Sequence, residues 1–153
     1  MRRGERGREA TVTTPEKRPR RRSRSAAKQA GAQFEIRQAE YLSEQLENPY
    51  ISRQDKGGSA DLGDIAYIGH RVAGVGPSRR PIVAEAKNRS QLNLTGAMRE
   101  AHAEAENYRA KKGGPLPLPI VLHKRHGVAA HGQQWATMEV DTLIEILKLA
   151  NPD

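Results

Sequence analysis

The chain has 153 residues and no cysteine, which excludes disulfides, thiolate zinc sites and cysteine nucleophiles. No stretch approaches the roughly 18 consecutive apolar residues of a membrane span, and the Arg-rich start lacks the apolar segment of a secretory signal. The formal net charge is +8. These features predict an intracellular protein of the cytoplasm or nucleoid, or of the host cytoplasm if it is viral, with no membrane partner.

The positive charge is concentrated at the start of the chain. Residues 1–30 contain 11 Lys and Arg but three acids, an excess equal to the whole net charge, while residues 31–153 contain 15 of each. Because residues 1–30 include a single Val and no Leu, Ile or Phe, they cannot bury enough apolar surface to fold alone. We expect a disordered basic tail, which serves either as an arm on DNA through Arg20, Arg21 and Arg22 or as a targeting signal.

The remaining residues predict one folded domain, 31–153, with the element order α-β-β-β-α-β-β-α. Apolar periodicity and turn residues place helices at 31–46, 95–112 and 141–149, the last capped by Asp141, and strands at 50–54, 64–68, 81–87, 119–123 and 135–140. The third and fourth strands flank a helix, which favours parallel pairing through a right-handed crossover. The expected fold is therefore α/β, of the α+β type, with a mixed sheet and helices packed against it.

Charged residues recur on the second and third predicted strands. Glu85 and Lys87 share one face of the third strand because side chains alternate along a strand. Asp64 opens the second strand, a position where Asp is otherwise disfavoured. Two neighbouring carboxylates suit Mg²⁺, which prefers oxygen ligands and keeps part of its hydration. The alternative interpretations are a cross-strand ion pair for Glu85 and Lys87 and an ordinary turn residue for Asp64.

A third acid lies on the apolar side of the first helix. At 100° per residue, Ala39, Leu42 and Leu46 fall within about 40° of Glu35, whereas Glu40, Glu44 and Glu47 fall on the opposite side. A carboxylate directed at the core is costly unless it meets a cation or a metal. The alternative is that Glu35 lies in the first turn and interacts with the helix dipole.

The motifs GAQFEIRQAEYL, RQDKGGSADLGDI and IVAEAKN, in this order and followed by a helix and a strand, resemble the PD-(D/E)xK nuclease superfamily. The resemblance covers about residues 31–125 and is greatest to archaeal- and phage-type Holliday junction resolvases. One departure is Gly63, which stands where the superfamily has Pro before Asp. The resemblance implies a restriction-endonuclease-like core and a Mg²⁺-dependent DNA endonuclease of recombination or repair.

The resemblance also implies a role for each acidic residue. Asp64 and Glu85, with the backbone carbonyl of Ala86, would hold Mg²⁺, for which Mn²⁺ can substitute. Lys87 would orient or help to deprotonate the attacking water, and Glu35 would complete the site through a bound water or a second ion. Residues expected to contact DNA outside the tail are Arg53, Lys56, Ser59, Arg89, Lys124 and Arg125.

The expected partner is DNA, most specifically a four-way junction. The approximate two-fold symmetry of such a junction implies a C2 homodimer with two active sites. The alternatives are another PD-(D/E)xK nuclease, of repair, restriction or replication, and a non-catalytic basic DNA-binding protein. No Walker-type glycine-rich loop is present, so no nucleotide cofactor is expected.

Overall fold

The computed structural model describes residues 23–54, 61–68 and 80–150. It has a mixed α/β fold with three helices and a five-stranded mixed sheet, which confirms the predicted fold class at this level. In chain order the elements are α1 (Arg24–Gln45), β1 (Ser52–Arg53), β2 (Ile65–Ala66), β3 (Ile82–Lys87), α2 (Leu94–Lys112), β4 (Leu118–His123), a 3-10 turn (His131–Gln133), β5 (Trp135–Thr137) and α3 (Val140–Ala150).

The five strands lie in the order β1-β2-β3-β4-β5. β3 and β4 pair in parallel over six residues each, from Ile82 opposite Leu118 to Lys87 opposite His123, and the other neighbours are antiparallel. The predicted parallel pair across α2 is therefore confirmed. β1, β2 and β5 are shorter than predicted, with two, two and three residues. β3 and β4 consequently form the frame on which the site is built.

The sheet buries a different set of side chains on each face. α1 covers the larger cluster, formed by Ala39, Ile51, Ile65, Ile68, Ala84, Ile120 and Leu122. α2 covers the opposite face, where Ala97 and Ala101 pack on Val121. Because Ala84 faces α1 and side chains alternate, Val83, Glu85 and Lys87 face α2. The small side chains of α2 at this contact let the helix lie close to the strand that carries Glu85.

The first helix starts earlier than predicted. It begins at Arg24 rather than at 31, with Ser23 as its N-cap, whose Oγ accepts a hydrogen bond from the Ala26 amide at 3.2 Å. The segment 24–30 is therefore helical, which corrects the prediction of disorder for that part of the tail. It is rich in Ala, Lys and Gln, which form helices by intrinsic propensity without an apolar stripe. The remainder of the predicted tail, including Arg20, Arg21 and Arg22, lies outside the described residues.

The last helix also differs at its start. α3 begins at Val140, so Asp141 lies inside its first turn and is not the N-cap that the sequence predicted. A negative charge in the first turn still interacts favourably with the helix dipole. Among the described helices, none has the length and apolarity needed to cross a bilayer.

Gly63 determines how the chain enters β2. Its φ is +98°, a backbone conformation that L residues rarely adopt, and a Cβ at this position would lie 2.8 Å from Val83 Cγ1. The proline that the superfamily carries before the aspartate requires a φ near −65°. The turn before Asp64 therefore has a conformation that proline cannot adopt, and Gly63 is required here by its backbone angle and by its contact with β3.

We predict that Gly63→Ala lowers the free energy of unfolding by roughly 2 kcal/mol, because it adds strain at positive φ and displaces the buried Val83. The matched control is Gly31→Ala, which lies within α1 with no atom within 4 Å of its added Cβ. That change should stabilise the protein by about 0.5–1 kcal/mol. Urea unfolding of both variants measures the difference, and equal stability of Gly63→Ala and wild type would contradict the account of this turn.

Candidate functional site

Asp64 is fixed at the start of β2 by hydrogen bonds to both neighbouring strands. Its amide donates to the Ala84 carbonyl at 3.0 Å, and its carbonyl accepts from the Gln54 amide at 2.8 Å. Its side chain is buried, and Oδ2 accepts from the Ala86 amide at 2.9 Å. Because the N–H and C=O of one strand residue point to the same side, the Ala86 carbonyl also faces the strand that carries Asp64. The two predicted ligands are thus adjacent.

Glu85 and Lys87 occupy the α2-facing side of β3. The Lys87 ammonium donates to Glu85 Oε1 and to Glu100 Oε2, a carboxylate of α2. Glu85 is 5% exposed and close enough to Asp64 for the two charges to repel. The structure therefore brings together three of the four predicted catalytic residues: Asp64, Glu85 and Lys87.

A further carboxylate, Glu104, joins this cluster from α2. It is 5% exposed and forms a hydrogen bond with the Glu85 side chain. The sequence contains a signal for it: projected at 100° per residue, Glu104 falls about 20° from Ala97, next to the buried alanines of α2. This is the same argument that singled out Glu35 on α1.

Burial controls the protonation of the carboxyl pair. It raises the pKa of Glu104 to about 10, and the hydrogen bond and charge of Glu85 add to that effect. Burial and the charge of Asp64 also raise the pKa of Glu85, although its hydrogen bonds with Glu104 and Lys87 oppose the change. At neutral pH the protonated Glu104 carboxyl therefore donates to the Glu85 carboxylate.

Lys87 keeps its positive charge. Burial alone would lower the pKa of its ammonium, but the hydrogen bonds to Glu100 and Glu85 outweigh burial, and the pKa is raised above its ordinary value. The sequence-based expectation that Lys87 stays charged beside two carboxylates agrees with this direction.

Glu35 is buried, as the helical projection predicted, with 8% of its surface exposed, while Glu40, Glu44 and Glu47 are exposed. Because α1 begins at Arg24, Glu35 lies well inside the helix, which excludes a first-turn role. Its Oε2 accepts from Arg53 Nε at 2.6 Å. Arg53, predicted to contact DNA, is thus held by Glu35 on the side of the sheet covered by α1, and its side chain remains partly exposed.

Two of the predicted DNA-contacting residues follow β4. The Lys124 amide donates to the Lys87 carbonyl at 2.9 Å, and its ammonium donates to the Val128 carbonyl at 2.6 Å. Arg125 is exposed, with its guanidinium carbon 5.0 Å from the centre of the Trp135 ring, a cation–π contact. Both residues therefore lie at the carboxyl-terminal end of the parallel strands β3 and β4, close to Lys87.

Arg89 follows β3 and is exposed. It lines an open cleft of about 130 Å³ together with Lys87, Glu100 and the first turn of α2. The cleft places cationic side chains beside the carboxyl cluster. Lys56 and Ser59, the remaining predicted contacts, lie outside the described residues.

The candidate ligands at this site are all oxygen atoms, the type of ligand that divalent cations such as Mg²⁺ prefer. Asp64 and Glu85 are carboxylates, the Ala86 carbonyl faces them, and Glu104 Oε2 is buried with no hydrogen-bond partner in the described part of the chain. Within residues 23–54, 61–68 and 80–150, no three His, Cys, Asp or Glu side chains are arranged so that they could bind a metal ion together. The protonated Glu104 and the Lys87 ammonium hold Glu85 instead, so a cation would compete with both.

Comparisons with protein-family models, with curated proteins and with solved structures returned no match.

We predict that the stability of the protein falls as the pH rises from about 4.5 towards 10. Between the unfolded and folded pKa values of Glu104 the folded state binds the additional proton, so raising the pH favours unfolding. Below a pH of about 4.5, Glu104 is protonated in both the folded and the unfolded state, so it no longer makes the free energy of unfolding depend on pH. The slope contributed by one such group is at most about 1.4 kcal/mol per pH unit.

Denaturant unfolding at pH 5.5, 7.0 and 8.5 measures this slope. Glu104→Gln, which is neutral at every pH, should flatten it and should stabilise the protein most at pH 8.5. Glu106→Gln, an exposed residue on the same helix, is the control and should leave the slope unchanged. An unaltered slope in Glu104→Gln would show that Glu104 is not the group that takes up the proton.

Proposed function

We propose that this protein is a metal-dependent DNA endonuclease of the PD-(D/E)xK type, most specifically a resolvase of four-way junctions. The observation that carries the proposal is the burial of Asp64 and Glu85 side by side, with the charged ammonium of Lys87 beside them. A protein that only binds DNA gains nothing by placing carboxylates near phosphates, because they repel one another. A phosphodiester hydrolase needs them to hold a cation.

The proposed division of labour follows from these contacts. Asp64, Glu85 and the Ala86 carbonyl hold Mg²⁺ or Mn²⁺. The cation, when bound, lowers the pKa of water and offsets the charge that develops on the scissile phosphate. Asp64 is suited to this role because the Ala86 amide fixes its other oxygen atom, so little entropy is lost when it binds.

Lys87 acts as a cation and not as a base. Its raised pKa means that the deprotonated amine is scarce at neutral pH. The ammonium therefore orients the attacking water or binds a phosphate oxygen, and Glu100 positions it from α2. Glu35 contributes by holding Arg53, whose partly exposed guanidinium would meet the DNA backbone near β1.

DNA recognition in this proposal rests on shape and phosphate contacts rather than on base edges. Arg89 and Arg125 lie near the carboxyl ends of β3 and β4 and are exposed, as phosphate contacts require. Lys124 would have to release the Val128 carbonyl to join them. The basic residues of segment 1–30 would add salt-dependent affinity for any DNA.

The test of the substrate uses a single set of cleavage assays. A four-way junction, a linear duplex, a flap and a single strand are each incubated with Mg²⁺ or with EDTA. Paired cuts in the junction that require Mg²⁺ support a resolvase. Preferred cleavage of another substrate identifies another nuclease of this type, and binding without cleavage of any substrate identifies a non-catalytic DNA-binding protein.

We predict that Asp64→Asn and Glu85→Gln each reduce cleavage at least 100-fold while DNA binding is kept or becomes tighter, because a charge that repels phosphate is removed. The Asn variant keeps an oxygen that can accept a hydrogen bond from the Ala86 amide, so the pairing of β2 with β3 at this residue should be kept. Glu40→Gln, on the exposed side of α1, is the control and should cleave normally. Wild-type cleavage by either site variant would refute the assignment.

Symmetric cleavage of a four-way junction requires two active sites, so we propose a C2 homodimer. α3 supports this proposal because Val140, Leu143, Ile144 and Leu147 fall within about 100° of one another around the helix and are all exposed. A row of this kind is typical of a surface that another protein covers. The proposed occupant is the α3 row of a second copy of this chain, packed across the two-fold axis.

We predict that Ile144→Asp converts the dimer to a monomer, because a charge would be buried at the axis. Lys148→Gln, an exposed substitution one turn further along α3, is the control and should remain dimeric. Size-exclusion chromatography with light scattering gives the mass, and circular dichroism checks that both variants fold. A dimeric Ile144→Asp variant would exclude α3 as the interface.

A further inference from the structure

The single tryptophan of the chain lies on β5, the last strand in the order of the sheet, and 52% of its surface is exposed. Trp135 pairs with His123 of β4, and His123 pairs with Lys87 of β3. Residues directly opposite each other on paired strands point to the same face of the sheet. Lys87, His123 and Trp135 therefore form one row across three neighbouring strands, on the face that carries Glu85.

The indole of Trp135 lies close to the proposed active site without being enclosed by it. The helix α2 packs on β3 and β4, whereas Trp135 stays half exposed on β5. Because neighbouring strands are about 4.8 Å apart, the backbone of Trp135 lies roughly 10 Å from that of Lys87. This distance is short enough for a base close to a phosphate at Lys87 to reach the indole.

The loop between β4 and β5 holds a cation against this ring. The guanidinium carbon of Arg125 lies 5.0 Å from the centre of the Trp135 ring, and Arg125 is itself exposed. The Arg125 amide donates to Gln134 Oε1 at 2.9 Å. Gln134 Nε2 donates to the Val128 and Ala130 carbonyls at 3.1 Å and 2.7 Å. These hydrogen bonds fix the loop, so the pair of indole and guanidinium is organised before any ligand binds.

An exposed indole beside a guanidinium has the chemistry of a site for nucleobase stacking. Aromatic rings and guanidinium planes both stack on bases, and the positive charge complements the phosphate that accompanies each base. In a continuous duplex the flat face of every base is covered by its neighbours, and exposing one costs unstacking energy. The ring is therefore suited to a base that has already left the stack.

We propose that Trp135 stacks on an unpaired nucleobase of the DNA substrate, next to the phosphate bound at Lys87, while Arg125 contacts an adjacent phosphate. The inference rests on the proposed function, since it concerns the same DNA. It narrows the class of substrate to DNA whose strands separate near the cleavage position, as opposed to continuous duplex.

The test follows the fluorescence of Trp135, which reports this site alone because the chain has one tryptophan. The full-length protein is titrated, in EDTA to prevent cleavage, with a short single strand and with the blunt duplex that this strand forms with its complement. We expect the single strand to quench the emission and saturating duplex to leave it unchanged. Equal quenching by the two DNAs, or none by the single strand, would overturn the inference.

Variants measure the contribution of the ring to the affinity for the single strand. Trp135→Ala should bind at least about fivefold more weakly, and Trp135→Phe, which keeps a ring, should recover most of the affinity. Tyr50→Ala removes another exposed aromatic side chain and is the control, with wild-type affinity expected. Because stacking neutralises no phosphate, Trp135→Ala should keep the salt dependence of binding. Arg125→Gln should reduce the slope of log affinity against log salt by about 0.7.

The outcomes separate this inference from the proposed function. Wild-type affinity in Trp135→Ala would refute the stacking site, and a loss of dimer mass in that variant would then assign the indole to an interface between copies. The quenching of wild type needs no variant, so it decides the question even if Trp135→Ala does not fold. Quenching by the single strand without cleavage of any DNA supports the stacking site and refutes the nuclease. Cleavage without quenching does the reverse.

Discussion

The burial of the Glu85 carboxylate is the condition on which the rest of the site depends. A carboxylate taken out of water is stable only when protons or cations compensate it. Three side chains from two elements supply that compensation: β3 itself provides the Lys87 ammonium, and α2 provides both the protonated Glu104 and the Glu100 that anchors Lys87. The network cannot be taken apart residue by residue, because removing one member changes the charge that the others must balance.

The alternation of side chains between the two faces of β3 connects this network to the fold. Ala84 must be buried against α1, so Glu85 must face α2, and a shift of one residue would exchange the two faces. The parallel pairing with β4 fixes that register over six residue pairs. Asp64 is then aligned by the antiparallel pairing of β2 with β3, where Ile65 lies opposite Ala84. The position of the carboxylates thus follows from burial of apolar side chains on the opposite face.

The sequence was sufficient to predict the mixed fold, the parallel pair and the contact of Glu85 with Lys87, because apolar strands and alternation are local signals. It failed at the start of α1, where helix propensity and a Ser23 cap decide the boundary without an apolar stripe. It also placed Leu46 on the buried side of α1, although the helix ends at Gln45 and Leu46 is exposed. Apolar periodicity does not reveal Glu104, because the alanines beside it define the buried face of α2 and a carboxylate there adds nothing to an apolar pattern.

The departure at Gly63 bears on the resemblance to PD-(D/E)xK nucleases. A positive φ at this residue cannot be shared with a proline, so the chain here reaches its aspartate by a different turn. The aspartate is nevertheless held by the amide of Ala86, two residues beyond Ala84, the strand partner of Ile65. Backbone pairing between β2 and β3, and not the preceding turn, therefore determines where the carboxylate lies. In this chain the turn itself is tied to glycine, but the carboxylate it precedes is aligned by the same β2–β3 pairing that places Glu85 beside it.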